Sequence, residues 1–257
     1  MWHAQPIPAF TDNYIWALWT SRSGPVIVVD PGDAAPVLSW LEAHGRQLGA
    51  VLLTHRHQDH VGGVSELVAS RRVPVAGPAR ERIEGVSVPV AEGDAVSPPG
   101  TELKLRVLEV PGHTAGHVVY TAPGLLLSGD TLFAGGCGRA FEGTPEQLYR
   151  SLCRLADLPP DTAVLCGHEY TEANLEFAAE VEPDNGAIAE RLDNARRLLG
   201  QGEPTLPSTL AAELDTNPFL RCHLPAVRAA AERVADRRLA SPVEVFAVIR
   251  WWRDSFR

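Results

Sequence analysis

The chain is 257 residues long, with 45% hydrophobic and 21% charged residues, an ordinary balance for a folded globular protein of one large domain or two unequal ones. Its 23 Lys+Arg against 32 Asp+Glu give a net charge of −9 with histidine neutral, which argues against a nucleic-acid binder or a polybasic membrane binder. No apolar run nears the roughly 18 residues of a membrane span; Met1-Trp2-His3-Ala4 is neither the basic start of a secretory signal nor a transit peptide, so a cytoplasmic protein with reduced cysteines is expected. In chain order, strands are expected over 26–29, 50–54, 103–110, 118–121, 125–128 and 163–166, several of them apolar on both faces and therefore buried in a layered sheet structure. Helices are expected between them over 35–44, with Pro36 near the start and Gly45 at the end, over 61–71, and over 145–155 behind a Thr144 N-cap. From about residue 169 the pattern becomes Ala, Glu, Leu and Arg at helical period, over 169–181, 187–199, 224–239 and 242–252. Breaks fall at 202–208 and 217–220, and no strand is expected there. The reading is an α/β domain over 1–168 followed by a smaller all-helical domain over 169–257.

The densest chemical signal is Thr54-His55-Arg56-His57-Gln58-Asp59-His60, directly after an apolar strand. In extended backbone His55 and His57 point the same way and can chelate one ion, while Asp59 and His60 arrive as the chain turns into a helix and can reach a second. Gly62 and Gly63 then let that helix approach closely. His113, Asp130 and His168 each follow an apolar run and a glycine, the way strand ends deliver side chains to one rim of a sheet. Seven donors are too many for one tetrahedral zinc and suit two divalent ions sharing a bridging carboxylate and a bridging hydroxide. His117 is placed by spacing either at the metals or behind them, and is read as a supporting or packing residue. His3, His44 and His223 read as ordinary histidines, and Cys137 and Cys166 as small packing residues rather than nucleophiles. No GxSxG elbow offers a serine nucleophile. Lys104 is the only lysine, so any site that needs a cation presents arginine.

The run from His55 to His60 matches the HxHxDH signature, and on it the chain resembles the metallo-β-lactamase superfamily. Within that superfamily it resembles the hydroxyacylglutathione hydrolase (glyoxalase II) family over nearly its whole length. The matching segments include Thr11-Asp12-Asn13-Tyr14, Val29-Asp30-Pro31-Gly32-Asp33, Pro111-Gly112-His113-Thr114, Ser128-Gly129-Asp130-Thr131, Gly136-Cys137-Gly138-Arg139, Gly167-His168-Glu169-Tyr170, Asn217-Pro218-Phe219-Leu220-Arg221, and Arg250 with Arg253-Asp254.

The resemblance implies an αββα metallo-β-lactamase sandwich followed by a smaller all-α C-terminal domain that recognises glutathione. It implies that His55, His57 and His113 bind one metal, that Asp59, His60 and His168 bind the other, and that Asp130 bridges them. Arg139, Tyr170, Arg250 and Arg253, with Phe141 nearby, would contact the glutathione. The implied reaction is hydrolysis of S-(2-hydroxyacyl)glutathione thioesters, typically S-lactoylglutathione to lactate and glutathione in methylglyoxal detoxification, with Asp59 also orienting the attacking hydroxide. Zinc is the expected metal, with iron and manganese as alternatives, and a monomer acting on a small molecule is expected.

Three departures stand out. Gln58 replaces a common Trp, Phe141 replaces the usual Tyr, and Arg139 and Arg253 replace Lys, keeping the charge with a different fork geometry. The rival readings are a glutathione persulfide dioxygenase of the same superfamily, a nuclease-like phosphodiesterase, and a metal-binding module without catalysis. The seven-donor set and the long helical C-terminus favour the hydrolase, and the acidic balance opposes the phosphodiesterase.

Overall fold

A computed structural model of the chain describes residues 1–69 and 71–256; Ser70, within the helix expected over 61–71, and Arg257, the last residue of the expected second domain, lie outside the described residues. The chain begins with β1 (His3–Ala9), β2 (Asn13–Trp19), β3 (Val26–Val29), α1 (Ala34–Ala43), β4 (Leu48–Leu52), α2 (Gln58–Val61), α3 (Val64–Ala69), β5 (Val75–Pro78) and β6 (Val88–Val90). These six strands form one sheet in the order β1-β2-β3-β4-β5-β6. There follow β7 (Ala95–Val96), β8 (Leu105–Glu109), β9 (Val118–Ala122), β10 (Leu125–Gly129), the short hairpin β11 (Leu132–Phe133) and β12 (Gly136–Cys137), α4 (Pro145–Ala156) and β13 (Ala163–Cys166). The remainder is α5 (Thr171–Val181), α6 (Gly186–Gly200), β14 (Ser208–Thr209), α7 (Leu210–Thr216), α8 (Pro225–Ala235) and α9 (Pro242–Ser255). The second sheet runs β14-β13-β10-β9-β8-β7.

Side-chain alternation divides the apolar residues among three layers. In β3, Ile27 and Val29 pack between the sheets with Trp16, Leu18, Leu52, Val107, Tyr120 and Leu127. Val26 and Val28 face the other way, onto Val37 and Leu41 of α1 and Leu67 of α3. On the second sheet the outward residues Leu108, Leu126 and Val164 meet Leu148 and Leu152 of α4 and Phe246 and Ile249 of α9. Helix, sheet, sheet and helix are thus stacked in the αββα order that the resemblance implies. The helix starts are encoded locally: Asp33 accepts from the Ala35 N–H (3.0 Å), and Thr144 with Gln147 forms a capping box ahead of Pro145.

Two expectations are corrected, and one pair of strands falls where none was expected. The C-terminal region is not wholly helical, because Ser208–Thr209 pairs antiparallel with β13 and extends the second sheet. Two residues are too few for a periodic signal, and the free edge of β13 supplies the pairing instead. Within the helix expected over 61–71, Val61 instead closes α2 and α3 starts at Val64; Gly62 and Gly63 separate them, where a Cβ would lie 2.6 Å from the Gly32 carbonyl oxygen and 2.5 Å from the Ala34 nitrogen. Finally, β1 and β2 open the first sheet, although Pro6 and Pro8 mask β1; an edge strand tolerates prolines because the missing N–H faces no partner.

Candidate metal centre and adjoining pocket

The segments following β4, β8, β10 and β13 deliver His55 and His57, His113, Asp130, and His168 to one rim, and α2 adds Asp59 and His60. Two donor groups result, His55, His57 and His113 in one and Asp59, His60 and His168 in the other, each with its ligand atoms within 4.8 Å of one another. Asp130 reaches both. Its Oδ2 lies 3.6 Å from His113 Nε2 and 3.3 Å from His168 Nε2, and its Oδ1 lies 3.4 Å from His60 Nε2.

Hydrogen bonding behind the imidazoles settles which nitrogen faces inward. His113 Nδ1 lies 2.9 Å from the Arg139 carbonyl oxygen and must donate to it. His168 Nδ1 donates to Asp12 Oδ1 (2.7 Å), while His60 Nδ1 faces Asp30 Oδ2 at 3.1 Å as an ion-pair contact without hydrogen-bond geometry. The single Thr54 hydroxyl proton goes to Asp30 Oδ2 (2.7 Å), so Thr54 Oγ1 accepts from His55 Nδ1 at 3.0 Å. All four Nε2 atoms therefore face two carboxylates, the arrangement that outer hydrogen-bonding partners impose on metal-binding histidines.

The same geometry demands positive charge. Burial and the neighbouring histidines hold His55 well below its usual range. Burial opposes ionisation of His168 too, but hydrogen bonds to Asp130 and Asp59 push it up to about 10. Hydrogen bonds from His168 and His60 hold Asp59 far below the usual carboxylate range. Asp130 Oδ1 is buried without a hydrogen-bond partner, which divalent cations at this cluster would satisfy. Nitrogen and carboxylate donors without thiolate suit zinc, iron or manganese.

Asp30 completes a third close group with His55 and His60, but the Thr54 N–H (2.8 Å) and hydroxyl occupy its oxygens, so it backs the histidines. His117 is wholly buried, stacks on His55 with ring centroids 4.7 Å apart, and accepts from the Asp130 N–H at 3.2 Å. It stands behind the cluster, as the supporting reading expects. Asp12 and Asp30 are the positioning residues that sequence reasoning missed; both lay inside quoted segments, where an isolated aspartate before Asn or Pro-Gly reads as a turn residue.

A cavity of about 480 Å³ opens from the cluster, and Arg139, Phe141, Tyr170, Arg250 and Arg253 all border it. Tyr170 stacks on His168 at 4.7 Å, and burial, then Asp12, raises its hydroxyl pKa, keeping it a neutral hydrogen-bonding group. Arg250 is buried, donating to the Cys137 carbonyl oxygen (2.9 Å) and to Asp254 (3.0 Å). Asp254 also pairs with Arg139 at 3.0 Å. One carboxylate thus pairs with two guanidinium groups while Arg253 stands beside them, and burial plus repulsion from Arg250 and Arg139 lowers the pKa of Arg253. This pocket favours an anion. The Cys137 thiol on its wall is pushed up to about 11 by burial and stays protonated, consistent with a packing role. Phe141 is the least enclosed member, 62% exposed, its ring edge-on to His57 and His113.

Comparison with known proteins agrees with both halves of this arrangement. Residues 10–168 match the metallo-beta-lactamase superfamily, and residues 169–256 match the hydroxyacylglutathione hydrolase C-terminus. A hydroxyacylglutathione hydrolase from Alkalilimnicola ehrlichii is 59% identical over 96% of this chain and 97% of its own. Another, from Methylobacillus flagellatus, is 53% identical over the full length of both. The crystal structure of ETHE1 from Myxococcus xanthus superposes with a TM-score of 0.66 over 99% of both chains at 23% identity, a likeness of fold. The chain belongs to the hydroxyacylglutathione hydrolase family of the metallo-β-lactamase superfamily.

Proposed function

We propose that the protein hydrolyses the thioester of S-(2-hydroxyacyl)glutathiones, S-lactoylglutathione to lactate and glutathione being the typical case, as a two-metal enzyme. The observation that carries this reading is that one cavity joins the seven-donor cluster to a patch of three arginines and a tyrosine. An electrophilic carbonyl is thereby set at one end and an anionic peptide at the other. His55, His57 and His113 would hold one ion, Asp59, His60 and His168 the other, and Asp130, within reach of both groups, would be shared between them, with zinc the expected metal. Bound there, divalent ions supply an activated water and a Lewis acid for the carbonyl oxygen.

The chain's own residues do the rest. Asp59 has Oδ2 anchored by Asn13 Nδ2 at 3.0 Å, and its half-exposed carboxylate borders the cavity, where it orients the attacking water. Tyr170, Arg250 and Arg253, from the 169–257 region, and Arg139 grip the glutathione carboxylates, so that the 1–168 domain holds the metals and the helical domain selects the substrate. Attack on the carbonyl carbon breaks the C–S bond, and the thiolate, whose conjugate acid has a pKa near 8.5, departs without a strong general acid. The protein is net negative, so capture rests on these local cations rather than on the global field. No helix among the described residues is long and apolar enough to cross a membrane.

Phe141→Tyr restores a hydroxyl at the mouth of the pocket. It is expected to lower KM for S-lactoylglutathione by about fivefold, corresponding to roughly 1 kcal/mol for one neutral hydrogen bond, with kcat unchanged in steady-state kinetics. The reading itself is tested by offering the metal-loaded protein S-lactoylglutathione and, separately, glutathione persulfide with an oxygen electrode. Thioester cleavage without oxygen uptake is expected; oxygen uptake without cleavage would assign the dioxygenase chemistry instead.

A further inference from the structure

The β11–β12 hairpin leads from Asp130 to Arg139 and carries Phe133, which meets Tyr170 and His168 edge-on at 5.3 and 5.8 Å. It has only two residues per strand, far too few to hold its own shape. Its tip is instead held by three side chains of the helical region. Asn174 Nδ2 donates to the Ala134 carbonyl oxygen (3.0 Å), Glu213 Oε2 accepts the Gly135 N–H (2.7 Å), and Asn217 Nδ2 donates to the carbonyl oxygens of Gly136 (2.9 Å) and Phe133 (3.3 Å). Glu213 and Asn217 are completely buried. The other Glu213 oxygen is bound by Arg191 and by the Ser208 hydroxyl, and Asn217 Nδ2 also reaches Oε2 (3.1 Å). All four partners can donate to Glu213, so its carboxylate is fully paired within the fold.

We propose that Glu213 and Asn217 are positioning residues for the substrate pocket: through the β11–β12 tip they set where Phe133 and Arg139 stand relative to Arg250 and the metal cluster. The helical region on this view both contributes side chains to the pocket and fixes the wall opposite them. A buried carboxylate in a ring of donors is costly to maintain unless it is fully paired, and here its pairing ends on the backbone of the one hairpin that links bridging ligand to substrate arginine. The inference rests on reading the pocket as a glutathione site.

The test compares Asn217→Ala and Glu213→Gln with Glu182→Gln, each metal-loaded. Glu182 is also a buried carboxylate, paired bidentately with Arg221 at 2.7 and 3.0 Å, and its side-chain bonds go to Arg221 rather than to the hairpin. Glu213→Gln turns an amide donor toward existing donors; Asn217→Ala removes the two carbonyl bonds and one donor to Glu213 while leaving the carboxylate in place, and serves if the first variant does not fold. Both are expected to speed hydrogen exchange over residues 132–139 and to raise KM for S-lactoylglutathione about tenfold, since a full 1 Å misplacement costs about 10²-fold. Metal content should hold, and Glu182→Gln should lower Tm with neither other change. Unchanged exchange over 132–139, or a KM rise no larger than that of Glu182→Gln, overturns the proposal. Faster exchange over 132–139 in a protein whose wild type cleaves no glutathione thioester supports the clasp and overturns the substrate reading instead.

Discussion

Asp130→Asn is expected to lower kcat/KM for S-lactoylglutathione by about 10³-fold and to reduce the bound metal below two ions per chain. Among the described residues, Asp130 is the side chain whose oxygens lie within 3.6 Å of Nε2 atoms from both donor groups, so it is placed to couple them. An amide of the same shape keeps one acceptor but loses the charge, and turns a donor toward ring nitrogens that need a cation. Lewis-acid stabilisation is worth several kcal/mol, and about 4 kcal/mol corresponds to 10³ in rate. Stopped assays read beside metal analysis of the same sample check both parts. A variant with two metals and wild-type turnover would remove Asp130 from the bridge.

Arg250→Ala is expected to act on the other end of the pocket, raising KM ten- to hundredfold while kcat falls by less than about threefold. Arg250 is 8% exposed and its Nε is buried without a hydrogen-bond partner. A bond from such a desolvated cation to a carboxylate is worth about 1.5–3 kcal/mol, and a contact made equally in ground and transition states appears in KM. Arg253, half-buried and repelled by its neighbours, should give a smaller shift of the same kind. Steady-state kinetics over a range of substrate concentrations separates the two constants. A large loss of kcat at unchanged KM would move Arg250 out of the glutathione grip and into the chemistry.

The parts of the site that were legible are those in which ligand chemistry is dense in sequence. Three histidines and an aspartate within six residues after an apolar strand have few other uses, and the glycine-preceded His113, Asp130 and His168 repeat the same strand-end placement. The layered core was legible because β3, β10 and β13 are apolar on both faces. Single residues whose meaning depends on distant partners were not. Asp30 looks like the first residue of a turn, yet it adopts a left-handed φ of 51° and anchors Thr54 from 24 residues away. Glu213 is bonded to Gly135, 78 residues upstream, and no local pattern announces a buried carboxylate behind a proline-rich break. The strands β1 and β14 escaped for related reasons: one contains prolines that only an edge tolerates, and the other is two residues long and exists because a neighbouring edge accepts it.

The most direct measurement of the account is metal titration of metal-stripped protein while S-lactoylglutathione hydrolysis is followed. Two coupled ions held by His55, His57, His113, Asp130, Asp59, His60 and His168 predict that activity climbs to a break at two equivalents per chain. Full activity at one equivalent, or no cleavage with two ions bound, would contradict it.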